Sequence, residues 1–406
     1  MNVITKYRND ENFHTTLINC IFEFKYDKNE VMALNILTKL LSKTNEIYPE
    51  INLFAREKLN RYIMNLNVIN QSINDVFFIN FSMLIPSTGV IKDNYLEHSV
   101  NFLLDTIYKP NINNFELFER EKRLYIEMLL NSYKNIEFIA EKNMLDLIDD
   151  SGNINKIKYK DMNNIKDLSM DDIVNVYNKY IKNIKPKIFI YGNIDSNRVE
   201  ETIINYINKY NLKDYKIIKD YNYFYKNQEL IDVTENSGYH QSVVYMVYNV
   251  MNYSEEDFYK LYMINLLLSS SSSDLLLNNL RKKNNLVYSC ASSVMLRNGL
   301  LVIKATTNKY SIKLCKMIIE KVVSDLKNIE LYNENINKIL YRLTLNIERE
   351  KDNFFINPSD VINKYFKMDI SSNEVLNILK NIKMDNLVEM VNRLNLVCIY
   401  TLEGVE

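Results

Sequence analysis

The alternation of apolar and polar positions divides the chain into short apolar runs and longer stretches of helical period. Thr15–Lys25 (TTLINCIFEFK) reads as a strand. An apolar-periodic helix, Val31–Leu41, follows and is broken at Tyr48–Pro49, and Ile51–Ile63 predicts a second helix. Val76–Leu84 (VFFINFSML) is a strand closed by Pro86 and Gly89, and Tyr95–Ile107 is an amphipathic helix stopped by Pro110. A long helical region runs from Phe115 to about Ile148. In it Leu117, Leu124 and Met128 recur at seven and four, and Phe118, Tyr125 and Leu129 repeat that spacing, which predicts one buried face. Ser169 with Asp172 forms a capping-box pattern that opens the helix Ile173–Ile181. The strand Lys187–Tyr191, ended by Gly192, and the helix Arg198–Tyr210 close this half.

The second half repeats the order. Ser242–Val250 is a strand, and Ser254 with Asp257 caps the helix Phe258–Leu268. A serine run (Ser269–Ser273), a short helix and the strand Leu286–Leu296 follow, then Gly299 turns the chain into Leu300–Thr306 as a hairpin-like pair. Ile312–Leu326 is a helix, and Ile336, Leu340, Leu343 and Ile347 mark another long one. Ser371 with Glu374 caps a short helix, Leu387–Leu394 is helical, and Leu396–Tyr400 is the last strand before Gly404. Both halves therefore run strand, helices, strand or strand pair, long helices, then helix–strand–glycine. This order predicts an α+β protein of two tandem homologous domains, each a mainly antiparallel sheet with helices packed on one face. The domains are placed at 1–215 and 231–406. Residues 216–230, polar, aromatic and lysine-rich without a clear period, form the linker, with Tyr221–Tyr225 packing against one domain.

Composition narrows the function classes. In 406 residues the formal net charge is −1 and no long basic stripe occurs, so nucleic acid is not the expected partner. The polar start, MNVITKYRNDENFHTT, has no apolar core of a secretory signal, and no apolar run reaches the length of a membrane span. Cys20, Cys290, Cys315 and Cys398 are scattered without paired spacing, which fits free thiols in a reducing compartment; a cytoplasmic location is expected.

The candidate chemistry lies in Leu266–Ser289 (LLLSSSSSDLLLNNLRKKNNLVYS). A short amphipathic helix carries Leu275, Leu276, Leu280 and Arg281, and a turn leads into the strand at Leu286–Tyr288. If the helix ends near Lys283, Arg281 and Tyr288 converge at its corner with the strand. A permanent planar cation and a phenol at one corner can clamp a peptide carbonyl or carboxylate. Spacing alone also allows a solvated helix charge beside a half-buried strand aromatic, and the serine run reads equally as a small-residue connector. His14, His98 and His240 are far apart, and in Asn94–His98 (NYLEH), on a helix after a different strand, Glu97 and His98 read as surface helix residues. H-E-x-x-H, G-x-S-x-G and P-loop motifs are all missing.

On these residues the chain resembles the pitrilysin/insulinase-type zinc peptidases, the inverzincins. That family carries a small-residue loop, a Leu-rich helical turn, Arg-Glu-Lys and Leu-Ala-Tyr-Ser; here SSSSSDLLLNNLRKK is followed by LVYS. FELFEREKRLYIEMLLNSYKNIEFIAEKNML resembles its long Glu-rich helix, and IFIYGNID its helix-to-strand ending. The resemblance implies a clamshell-like half chamber. Active members place H-x-x-E-H on the first helix after the first strand. That helix here is Val31–Leu41, where Ala33, Leu34, Ile36, Leu37 and Thr38 stand at the motif positions, so no metal and no catalytic residue is expected in this chain. The glutamates in Glu119–Glu127, near a distal ligand position, read as solvated or capping residues.

The chain resembles the non-catalytic members found in Gram-positive bacteria next to a zinc-bearing homologue, including those named for an association with elongation factor P 5-aminopentanol modification. It implies a non-catalytic subunit of a heterodimeric zinc peptidase, in which a zinc-bearing homologue cleaves a peptide or small protein while Arg281 and Tyr288 bind the substrate. The alternatives are an inactive peptidase-fold scaffold or peptide-binding protein, and a stand-alone hydrolase with an unrecognised metal site.

Overall fold

The computed structural model describes residues 5–8, 13–87, 90–91, 95–149, 154, 162–193, 195–210, 212–214, 218, 222–270, 274–352 and 372–405. Ser371, Gly89, Asn94, Tyr221 and residues 271–273 of the serine run, all named above, lie outside them. The chain divides into two units. The first takes it to Leu129 and again from Lys156 to Tyr221; the second takes Leu130–Asn155, Asn222–Phe354 and Lys367–Glu406.

In chain order the first half gives β1 (Thr5–Arg8), β2 (Thr15–Lys25), α1 (Val31–Leu41), α2 (Ile51–Asn60), β3 (Asn65–Ile73), β4 (Val76–Pro86), α3 (Tyr95–Tyr108), α4 (Phe115–Ser132), α5 (Ile136–Ile148), α6 (Met162–Asp167), α7 (Met170–Tyr180), β5 (Lys187–Gly192) and α8 (Ser196–Ile207). The first sheet has the order β1-β5-β2-β4-β3, with β1 parallel to β5 and the other neighbours antiparallel. β2 and β4 pair along their whole length, from Thr15 opposite Pro86 to Lys25 opposite Val76. Alternation sends Ile18, Cys20, Phe22 and Phe24 of β2, with Ile79, Phe81 and Met83 of β4, into a core shared with α1, α3, α4, α7 and α8. Asn19, Ile21 and Glu23 of β2 point to the opposite face. There Glu23 forms a buried ion pair with Lys187 of β5, and the Asn80 amide donates to Asn19 Oδ1 at 3.0 Å.

The second half gives β6 (Ile231–Asn236), β7 (Ser242–Val250), α9 (Phe258–Ser269), the helical turn α10 (Leu275–Leu277), β8 (Val287–Met295), β9 (Leu300–Thr307), α11 (Ile312–Asp325), α12 (Ile329–Asp352), α13 (Ser372–Lys380), α14 (Met384–Asn392) and β10 (Leu394–Glu403). Its sheet runs β6-β10-β7-β9-β8, with β6 parallel to β10. Strand for strand this is the order of the first sheet, so the expected α+β repeat is present. Val244, Met246 and Tyr248 of β7 and Leu301, Ile303 and Ala305 of β9 face a core built with α9, α11 and α14.

Two features change the sequence-based picture. The long helical region is broken. α4 ends at Ser132, and Asn135 caps α5 by accepting from the Glu137 and Phe138 amides at 2.9 and 3.4 Å. Helix α5 belongs to the second unit. Its Ile136, Ala140, Met144 and Ile148, spaced by four, pack on Val243, Tyr245 and Val247 of β7 and Cys398 and Tyr400 of β10. The second sheet thus carries a helix on its other face as well. On α4 the buried positions are Leu117, Phe118, Glu121, Tyr125 and Leu129, whereas Leu124 and Met128 are 42% and 46% exposed.

The segment expected as linker is laid in part on the second unit. The Tyr223 and Tyr225 amides donate to the Arg297 and Asn298 carbonyls at 2.9 Å each, and Phe224 meets Tyr253 edge-on with centroids 5.3 Å apart. Both anchor residues lie in the β8–β9 turn, which Gly299 closes at φ +72°.

Candidate functional site

In active inverzincins the metal would be held from the first helix after the first strand, here α1. Its register puts Ala33, Leu34, Ile36, Leu37 and Thr38 in the interior, all essentially inaccessible to water. The two polar residues near the motif positions are committed to one another. Asn35 donates to the Tyr125 hydroxyl at 2.9 Å, Asn70 donates to both Asn35 Oδ1 and Thr38 Oγ1 at 2.9 Å, and Thr38 returns a bond to the Asn35 carbonyl at 2.8 Å. Helix α1, edge strand β3 and helix α4 are therefore joined by a small amide–hydroxyl network. These residues offer no imidazole and no carboxylate, so they do not fit a zinc ion. Glu121, one of the glutamates expected to be solvated, is instead buried and pairs with Lys43 at 3.4 Å. Burial and the low-dielectric surroundings push the Tyr125 phenol up to about 12. It stays protonated and serves as a hydrogen-bonding group.

The Arg281 corner is built from the core outward. Asp274 caps the turn by accepting from the Leu277 amide at 2.8 Å. Leu276 and Leu280 are fully buried and anchor the turn in the second core. From Asn278 to Lys282 the turn widens to a π-helix, with the Lys283 amide bonded to the Asn278 carbonyl at 3.0 Å. Single π turns of this kind recur at functional sites. Asn285, at φ +50°, reverses the chain, its amide donating to the Arg281 carbonyl at 2.8 Å. The Leu286 amide then donates to the Leu280 carbonyl at 2.9 Å, and buried Thr307 donates from its hydroxyl to the Leu286 carbonyl at 2.5 Å. Strand β8 begins here with an irregularity: Val287 is opposite Thr307 and Ser289 is opposite Thr306, so Tyr288 is the extra, bulged residue.

The helical segment ends at Lys282 and β8 begins at Val287. Tyr288 is 56% exposed and Arg281 is exposed too. They do not bond to each other: among the described residues neither side chain has a hydrogen bond or an ion pair. Backbone bonds and two buried leucines hold the corner in place.

The remaining candidates do not add a nucleophile or a ligand set. Cys290 lies on the helix side of β8; burial pushes its thiol up to about 11, Asp274 adds to that, and Arg281 only partly opposes it. Cys20, Cys315 and Cys398 are fully buried with thiols near 12. Thiols this weakly acidic are poor nucleophiles. His14, His98 and His240 are all exposed. Among the described residues no group of three or more His, Cys, Asp or Glu could hold a metal ion.

Residues 167–339 match the family described as peptidase M16 inactive domain. No curated protein sequence matches the chain. Among solved structures the chain is similar to a conserved protein from Enterococcus faecalis V583, with a TM-score of 0.88 and 16% identity over 100% of this chain and 98% of that one. A protease from Helicobacter pylori follows at 0.77 and 14%, covering 98% and 96%. The peptidase M16 inactive domain from Pseudomonas fluorescens gives 0.74 and 10%, covering 98% and 95%. At such identities these structures speak for the fold alone. Residues 167–339 thus match the M16 inactive domain, and the chain as a whole has the M16-type fold.

Proposed function

We propose that this chain is the non-catalytic subunit of a heterodimeric zinc peptidase, the metal being carried by a homologous partner. The observation that carries the reading is the exposure of Arg281 and Tyr288 without side-chain partners on a corner that the fold holds firmly. An α1 whose polar residues are bonded to one another supports it from the other side, because that helix then offers no zinc ligand. The match to an inactive peptidase domain points the same way. In this reading the Tyr288 phenol donates to a substrate carbonyl, and Arg281 holds a backbone carbonyl or a carboxylate. The substrate is a peptide or small protein, and no cofactor is bound by this chain. The likeness to the branch named for elongation factor P modification belongs to the same reading, as does a cytoplasmic location; among the described residues no helix is long and apolar enough to cross a membrane.

The test is to co-purify the chain with a zinc-bearing homologue from the same genome and to assay peptide cleavage by each protein and by the mixture. Cleavage by the mixture is expected to fall by about 10²–10³-fold in Arg281→Ala/Tyr288→Phe, the usual loss for a donor to developing charge. Wild-type activity of the doubly substituted mixture would sink the assigned role. A stable complex that cleaves nothing would favour an inactive scaffold.

A further inference from the structure

The second sheet ends at β8, which among the described residues pairs only with β9. Among the described residues no strand lies beside its outer edge, which presents backbone N–H and C=O groups. Proteins usually blunt such an edge with charges or proline. The opposite edge of this sheet, β6, carries Asp232 and Glu235. Strand β8 (VYSCASSVM) has neither a charge nor a proline. Its exposed residues beyond Tyr288 are Ser289, Ala291 and Ser293, too small to hinder an incoming strand.

Charge is concentrated at one end. Arg281, Lys282 and Lys283, just before the N-terminal end of β8, are all exposed. Among the described residues none is ion-paired; the Lys283 ammonium reaches only Asn279 Oδ1, at 3.2 Å. The nearby carboxylates are engaged. Asp274 accepts the Leu277 amide and offsets only one of the three cations, and Glu137, beside Ser289, pairs with Lys304 at 2.7 Å. The corner is left with an excess of positive charge. A strand added antiparallel, the commoner arrangement, would bring its C-terminal end to this corner.

We infer that β8 binds an extended peptide antiparallel to itself, with an acidic C-terminal end held by Arg281, Lys282 and Lys283. The inference rests on the reading of Arg281 and Tyr288 as substrate-binding residues and adds the strand, its direction and the charge of the substrate.

The test uses the full chain alone and a fluorescein-labelled ten-residue peptide of alternating Val and Thr ending in Glu-Glu with a free carboxylate. Saturable binding by fluorescence anisotropy is expected. A peptide ending in Lys-Lys-amide should bind about tenfold more weakly, and the acidic peptide should lose about as much affinity for Arg281→Ala/Lys282→Ala/Lys283→Ala, given that exposed ion pairs are individually weak. Methylation of alternate peptide amides should abolish binding to the unmodified chain, a readout independent of how the variant folds. Three results would each overturn the inference: no saturable binding, equal affinity for the two peptide ends, or tight binding of the methylated peptide. Because the partner is absent, these outcomes judge the β8 site alone, whereas loss of cleavage by the mixture judges the subunit reading.

Discussion

Met144 offers the sharpest test of how the chain is partitioned. It lies in α5, which sequence order assigns to the N-terminal domain, yet its side chain is 1% exposed and packs in the core on the second sheet with Tyr245, Val247 and Tyr400. Met144→Ala removes the thioether and leaves a cavity bounded by β7 and β10. Buried Met→Ala changes cost about 2–5 kcal/mol. Ala140, one turn earlier, already presents a small side chain to the sheet, so the helix can settle only slightly, and about 3 kcal/mol is expected. The control is Met128→Ala on α4, a 46% exposed residue that should change stability by no more than about 0.5 kcal/mol. A chain of two units has no single unfolding free energy, so a residue-resolved measurement is required. Native-state hydrogen exchange read by mass spectrometry provides it. Peptides covering β7 and β10 should lose protection in Met144→Ala, while peptides covering β2 and β4 keep theirs. Loss confined to β2 and β4, or a Met144→Ala effect no larger than that of Met128→Ala, would refute the placement of α5 in the second unit.

Three further outcomes follow from the same packing. The Lys304 ammonium beside Glu137, aided by Thr306 at 2.8 Å, holds that carboxyl below its ordinary 4.5. A carboxyl depressed on folding contributes stability above its unfolded value and loses it as pH falls through the folded one. Melting curves of the wild type should therefore fall more steeply below about pH 4.5 than those of Glu137→Gln, and parallel curves would contradict the pairing. Lys187→Met should cost about 3–5 kcal/mol by stranding the buried Glu23 carboxylate, and adding Glu23→Leu should restore most of that stability. Hydrogen-exchange protection of peptides covering β2 and β5 can measure it, and unchanged protection in Lys187→Met would refute the pairing. Gly299→Ala should destabilise the β8–β9 turn by more than about 1 kcal/mol, since φ is +72° and a Cβ would sit 2.7 Å from the Tyr253 ring; a thermal melt unchanged by the substitution would show that the turn relaxes freely.

How much was legible before the fold was known depended on what each residue touches. β2, β4, β7 and β9 stood out because they are interior strands buried on both faces, and a strand so placed must be apolar over several consecutive residues. β1, β3 and β6 did not stand out, and all three are edges. NLNVINQSI and IDVTEN are strands because a neighbour offers them a row of backbone partners, and that leaves little trace in side-chain periodicity. The capping boxes Ser169–Asp172 and Ser254–Asp257 were readable because their bonds span three residues. Asn135 is also a local cap, but it was hidden because the apolar period continues through it.

The candidate site shows the same division. The lack of imidazoles on α1 and the Arg281–Tyr288 spacing are properties of the chain itself. That Asn35 is satisfied by Asn70 and Tyr125 needed the approach of β3 and α4, 35 and 90 residues away. The lone asparagine in an otherwise apolar stretch was the available hint. Residue order decided the repeat, the interior strands and the missing metal ligands, because each follows from local pattern. Tertiary structure alone decided that α5 serves the second sheet, that Glu137 is tied to Lys304, and that Tyr288 sits on a bulge at an open edge. Those outcomes depend on long-range hydrogen bonds and buried contacts that no spacing along the chain encodes.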